Sequence, residues 1–98
     1  VTGAEIEAHV EGLCRSLGVS FRFHVVPPSF GMTRGLVDDI IIGSRGILWR
    51  EVKGDGDSLR SDQRRLGYAL QALGQDWAVW TSEDAASGKI EDELRRIA

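Results

Sequence analysis

The chain has one cysteine, two prolines and two histidines among 98 residues. A lone Cys14 has no internal disulfide partner, which excludes a disulfide scaffold and suits a reducing compartment. It falls in an amphipathic helical pattern, which suggests a buried, inert thiol; a reactive or metal-bound thiol is the alternative. Cys14, His9 and His24 stand at none of the spacings of a zinc ligand set. No stretch reaches the roughly 18 apolar residues of a membrane-spanning helix, and no signal-peptide pattern is visible. The expectation is a cytoplasmic protein, of a bacterial cell or a phage-infected host, with no membrane partner and no small-molecule cofactor. Lysine is also scarce: ten of the twelve bases are arginine. Arginine suits phosphate contacts, although genome composition produces the same bias. Repeats, linkers and low-complexity tracts are missing, so residues 1–98 are expected to form a single domain with one modest core.

What is present is unevenly charged. The formal net charge is −3, made of −3 over residues 1–14, +3 over 15–65 and −3 over 66–98. An acidic balance argues against a nucleic-acid binder, but the middle third is basic, and a bound cation would raise its charge further.

That middle third holds the most informative stretch. Ile40-Ile41-Ile42, the turn signal Gly43-Ser44-Arg45-Gly46 and the run 47–53 read as a β-hairpin. With a loop of two or four residues, Ile42 faces Ile47, Ile40 faces Trp49 and Asp38 faces Glu51; a three-residue loop would shift the pairing by one. Side chains alternate along a strand, so Asp38, Ile40, Ile42, Ile47, Trp49, Glu51 and Lys53 share a face and Asp39 points to the other. Opposed carboxylates roughly 5 Å apart repel unless positive charge sits between them. Lys53 supplies part of that charge and a divalent cation the rest. Oxygen ligands favour Mg2+ or Mn2+. Two carboxylates, a lysine and such an ion suit phosphodiester hydrolysis.

Asp38 followed by Glu51-Val52-Lys53 resembles the PD-(D/E)XK nuclease signature. With Gln63 ten residues after Lys53, the pattern Gly-x-x-Asp, Glu-x-Lys, Leu-x-x-x-Gln is similar to the virus-type replication-repair nuclease branch, VRR-Nuc, whose small stand-alone members are common in phages. Where the family usually has Pro-Asp and then an apolar residue, this chain has Val37-Asp38-Asp39; the register favours Asp38 as the ligand. The resemblance implies an α/β fold with a restriction-endonuclease-like αβββαβ core, a mixed central sheet flanked by helices and a C-terminal helix. It implies Asp38, Glu51 and the Val52 carbonyl as metal ligands, Lys53 on the attacking water or phosphate, and Gln63 as support. It also implies a glutamate from the first helix: Glu5, with Glu7 as runner-up. Glu5 equally suits a cap on its own helix.

Elsewhere, Thr2-Gly3-Ala4-Glu5 is a capping-box pattern before Ile6, Val10, Leu13 and Leu17, and Gly18 ends that helix. Residues 19–26 predict a strand in which Phe21, Phe23 and Val25 alternate with Arg22, His24 and Val26. His24 reads as an edge or partly buried strand residue rather than a catalytic or DNA-contacting one, and His9 as exposed. Residues 27–35 form a loop that leads into Asp38; Arg34 suits a phosphate contact, and Phe30 and Met32 suit base stacking, a dimer contact or plain surface. An EF-hand at Asp55 would need an acid at position 66, which is Leu66, so 54–58 is a polar turn. Ser61 is the expected N-cap of a helix with a Leu66, Leu70 and Leu73 stripe, whose first turn offers N–H groups to phosphate. Arg60, Arg64 and Arg65 are further phosphate candidates. In the strand around 77–80, Trp77 and Trp80 fall on opposite faces, so one of them is expected on the less buried side. Ile90, Leu94 and Ile97 mark a closing helix.

These readings converge on a divalent-metal-dependent DNA endonuclease of repair or recombination. It is expected to be structure-selective on branched DNA, like a Holliday-junction resolvase, and to act as a homodimer. A flap nuclease, 5′-exonuclease or nicking enzyme of the same fold is one alternative. A non-catalytic junction-binding module is another.

Overall fold

The computed structural model describes residues 1–25 and 37–98. The expected loop 27–35, with Phe30, Met32 and Arg34, lies outside them.

Helix α1 (Gly3–Leu17) begins at Thr2, whose hydroxyl accepts from the Glu5 N–H while the Glu5 carboxylate accepts from the Thr2 N–H at 3.0 Å. It ends at Gly18, in the left-handed region at φ 73°, where a side chain would be strained. Both ends follow the sequence pattern. The buried stripe is Ile6, Val10 and Cys14, with Leu13 and Leu17 at its margin. Burial pushes the Cys14 thiol up, away from the reactive thiolate.

Strands β1 (Phe21–His24), β2 (Asp39–Gly43), β3 (Gly46–Lys53) and β4 (Asp76–Thr81) form one sheet in the order 1-2-3-4. The first three are antiparallel and β3–β4 is parallel, so the β3-to-β4 connection crosses over and carries α2 (Ser61–Ala72). The β2–β3 turn has two residues, Ser44 and Arg45, between the paired Gly43 and Gly46; Ile42 pairs with Ile47 and Ile40 with Trp49. Short α3 (Ser82–Ser87) and α4 (Lys89–Ile97) close the chain, separated by Gly88 at φ 85°. The result is a mixed, mostly antiparallel α/β sheet flanked by helices. Among the described residues no helix is long and apolar enough to cross a membrane.

The main core lies on one face of the sheet. Ile41, Leu48, Val52 and Trp80 meet Ile6 and Val10 of α1 and Ile90, Leu94 and Ile97 of α4. Arg50 is buried among them, which sequence alone did not indicate. Its guanidinium donates to Glu93 Oε1 at 2.9 Å and to the Asp76 carbonyl at 2.6 Å, and lies over the Trp80 ring at 5.3 Å. The Trp80 N–H donates to the same Glu93 oxygen.

Helix α2 covers part of the other face, and here three expectations change. Its N-cap is Arg60 rather than Ser61. Leu73 is 77% exposed and Leu66 and Leu70 are only half-buried, so the leucine stripe does not seat the helix closely. Gly67 does, because a Cβ there would overlap the Trp77 indole. Both tryptophans are buried, Trp77 under α2 and Trp80 in the main core on the α4 side.

Candidate functional site

Asp38 and Asp39 are adjacent, and the pleat sends them to opposite faces. Two clusters follow, back to back at one end of β2.

The first lies on the α2 face. Asp38 stands one residue before the β2–β3 ladder, and its Oδ2 accepts from the Val52 N–H at 2.8 Å. Glu51 is the next side chain along and is almost fully buried. Gln63, in the first turn of α2, donates from Nε2 to Glu51 Oε1 at 2.8 Å. The amide is held in turn by the Arg60 N–H, which donates to Gln63 Oε1 at 2.9 Å. Lys53 Nζ lies 3.8 Å from Glu51 Oε1. The other Glu51 oxygen, Oε2, is buried and has no hydrogen-bond partner among the described residues. Burial raises the Glu51 carboxyl to about 8, and the neighbouring Asp38 adds to the rise; Lys53 and Arg60 oppose it. The structure therefore brings together Asp38, Glu51, Val52, Lys53 and Gln63.

Glu5 stands apart from this group in its present rotamer. It is exposed and caps α1, and its carboxyl is held below the usual range by hydrogen bonds from Thr2. The start of α1 is nonetheless near the end of β3, since a Cβ on Gly54 would clash with Thr2 and Gly3. Arg60 Nε bonds Asp62 at 3.1 Å, Arg64 reaches the Leu59 carbonyl, and Arg65 is exposed. These three line the entry to α2, and of them Arg60 is close enough to act on the Glu51 charge.

The second cluster lies on the α1 face; of its residues only Glu7, the runner-up glutamate of α1, was expected as a ligand, and the structure sets it with Asp39 rather than with Asp38 and Glu51. Asp39, fully buried, meets Arg22 Nε at 3.0 Å and His24 Nδ1 at 3.6 Å. Glu7 pairs with Arg22, and His24 Nδ1 lies 3.2 Å from Glu7 Oε2. Burial raises the Glu7 carboxyl to about 9, with Asp39 contributing and Arg22 opposing. Glu7, His24 and Asp39 each offer a ligand atom, all within 4.8 Å of one another, a set compatible with a divalent metal ion. A trace of it was present in the sequence. Arg22 and His24 occupy alternate strand positions, and the core-directed Asp39 requires a cation on that phase. Phe21 and Phe23, on the alternate positions, are 60% and 54% exposed.

The chain matches no protein-family model, no curated protein and no solved structure.

Proposed function

We propose that the chain is a divalent-metal-dependent nuclease of the PD-(D/E)XK type, similar to VRR-Nuc, with its reacting centre at Asp38, Glu51, Lys53 and Gln63. The carrying observation is Glu51. Its Oε2 is buried without a donor, its Oε1 is fixed by Gln63, and it faces a second carboxylate with a lysine beside it. An all-oxygen pair with an orphaned buried oxygen fits a hard dication, Mg2+ or Mn2+. Asp38, Glu51 and the Val52 carbonyl would hold it, with Glu5 joining after a rotamer change from its cap. Such an ion, when bound, supplies Lewis acidity toward a phosphoryl oxygen and lowers the pKa of a water.

The remaining roles belong to the chain. Lys53 is largely buried and its ammonium faces the carboxylates, so it places a fixed positive charge where negative charge develops on the phosphoryl group, and it orients the attacking water. Gln63 fixes the Glu51 rotamer, and the Val52 N–H fixes Asp38. Arg60, Arg64 and Arg65, at the positive end of α2, receive the phosphates of a nucleic acid. The helix, three strands, helix and strand that open the element order support a restriction-endonuclease-like core. Branched DNA is the proposed substrate, because a two-fold pair of such small subunits presents two reacting centres to two strands.

The test is cleavage of a labelled four-way junction, beside flap and linear duplex, in Mg2+, Mn2+ or EDTA. Wild type is expected to make paired cuts that EDTA abolishes, with Lys53→Ala and Glu51→Gln slowed by roughly 100-fold or more. Cleavage of flap or linear DNA instead keeps the chemistry and changes the substrate. Tight junction binding without cutting, equal in wild type and Glu51→Gln, would make the chain a binding module.

A further inference from the structure

The α1-face cluster is built from three elements, with Glu7 on α1, Arg22 and His24 on β1 and Asp39 on β2. One guanidinium serves two carboxylates there. Arg22 bonds Glu7 Oε2 and approaches Asp39 Oδ1 at 3.0 Å. Glu7 Oε1 and both Asp39 oxygens are buried and accept no hydrogen bond from any described residue, and Arg22 Nε, although 3.0 Å from Asp39 Oδ1, donates none. Asp39 has no exposed surface at all. Buried carboxylate oxygens are normally satisfied, so three in one cluster call for a partner: a proton shared between Glu7 and Asp39 in the metal-free chain, and a cation that displaces it when one binds. The His24 ring faces the same point, with Nδ1 within 3.6 Å of both acids, and is 47% exposed, which leaves a way in from solvent.

We propose that Glu7, His24 and Asp39 form a second metal site, selective for a divalent transition-metal ion of the zinc class. The donor set decides the class. One imidazole nitrogen and two carboxylates in a three-residue set suit Zn2+, which takes four-coordinate nitrogen and oxygen sites and keeps its remaining position for water. Mg2+ prefers oxygen alone. The ligand atoms already lie within 4.8 Å of one another, so small rotations bring them to the roughly 2.0–2.2 Å reach of such an ion. Arg22 remains an outer partner that orients both carboxylates. An ion here ties α1, β1 and β2 together directly behind Asp38. The site does not depend on the nuclease reading, since none of its residues belongs to the α2-face group.

The experiment is titration of the metal-stripped full chain with Co2+, a visible reporter for zinc sites, in excess Mg2+, followed by competition with Zn2+. With excess Mg2+ present to occupy the α2-face group, wild type is expected to develop d–d absorption at one equivalent of Co2+, displaced by Zn2+. Glu51→Gln is expected to keep it. His24→Ala, at a half-exposed position, is expected to keep its circular dichroism and to lose Co2+ affinity by more than the roughly 10–100-fold that loss of an outer partner costs. A variant-free check is the His24 imidazole 15N signal of wild type, expected to shift on Zn2+ addition. Absence of a band, a band that survives His24→Ala, loss of the band in Glu51→Gln, or an unmoved His24 signal would each overturn the proposal.

Discussion

Glu51 is where the energetics of the α2-face group concentrate. Its carboxyl sits at about 8 instead of its ordinary 4.5, because burial and then Asp38 disfavour the charge. A raised carboxyl pKa means that the folded chain holds a proton that the unfolded chain has released between those values. Stability is therefore full below about 4.5 and falls as pH rises through about 8. Glu7 acts in the same direction up to about 9. Metal-free protein is expected to unfold at progressively lower denaturant concentration between those limits. Glu51→Gln should flatten part of that slope, and Mg2+ at the alkaline end should stabilise wild type but not the variant. Chemical denaturation at a series of pH values checks this. Gln63 reaches the reacting centre through Glu51, and its other end caps α2 through the Arg60 N–H. Gln63→Ala is expected to weaken Mn2+ binding by roughly 10–100-fold, as loss of an outer partner does, with the fold retained; calorimetric titration reads it.

At the scale of elements, α2 is positioned by an absence of side chain. Gly67 lets the helix backbone settle on the Trp77 indole, and that close approach brings Gln63 within reach of Glu51. Gly67→Ala improves helix propensity by about 1 kcal/mol yet pushes the helix off the sheet, an overpacking cost of about 1–3 kcal/mol. The net expectation is a lower melting temperature together with a loss of cleavage rate. An unchanged rate would separate the seating of α2 from the reacting centre. The β2–β3 hairpin acts differently: its two-residue turn sets the register, and the register sends Asp38 and Asp39 to opposite faces.

At the scale of the molecule, the sheet is a partition. The α1, α3 and α4 side holds the main apolar core and the Glu7, Arg22, His24 and Asp39 cluster; the α2 side holds Asp38, Glu51, Lys53 and Gln63. Helix α4 closes the first side by burying Ile90, Leu94 and Ile97 and by placing Glu93 against Arg50 and Trp80. A chain ending at residue 88 would expose Leu48, Ile41 and Trp80 and leave Arg50 without Glu93. It is expected to show no cooperative thermal transition by circular dichroism, where the full chain shows one.

The sequence by itself determined what is local. Thr2 and Glu5 fix the start of α1, Gly18 its end, and the Gly43-to-Gly46 turn the place of the hairpin, because each depends on neighbours within a few residues; between the loop lengths left open, the structure has the two-residue one. With a loop of even length the approach of Asp38, Glu51 and Lys53 was legible, and the helical spacing of Ile90, Leu94 and Ile97 gave the closing helix. Only the tertiary structure decided which face a residue meets and what waits there. Periodicity does not distinguish the two faces of a sheet that is covered on both. Hence both tryptophans are buried, Phe21 and Phe23 face outward, and Leu73 is exposed while Gly67 packs. The pairing of Arg50 with Glu93, 43 residues apart, and the meeting of Glu7, His24 and Asp39 from three elements arise only when the chain closes. Burial turns those ordinary charged residues into demanding ones, since only removal from water makes an unpaired carboxylate oxygen costly.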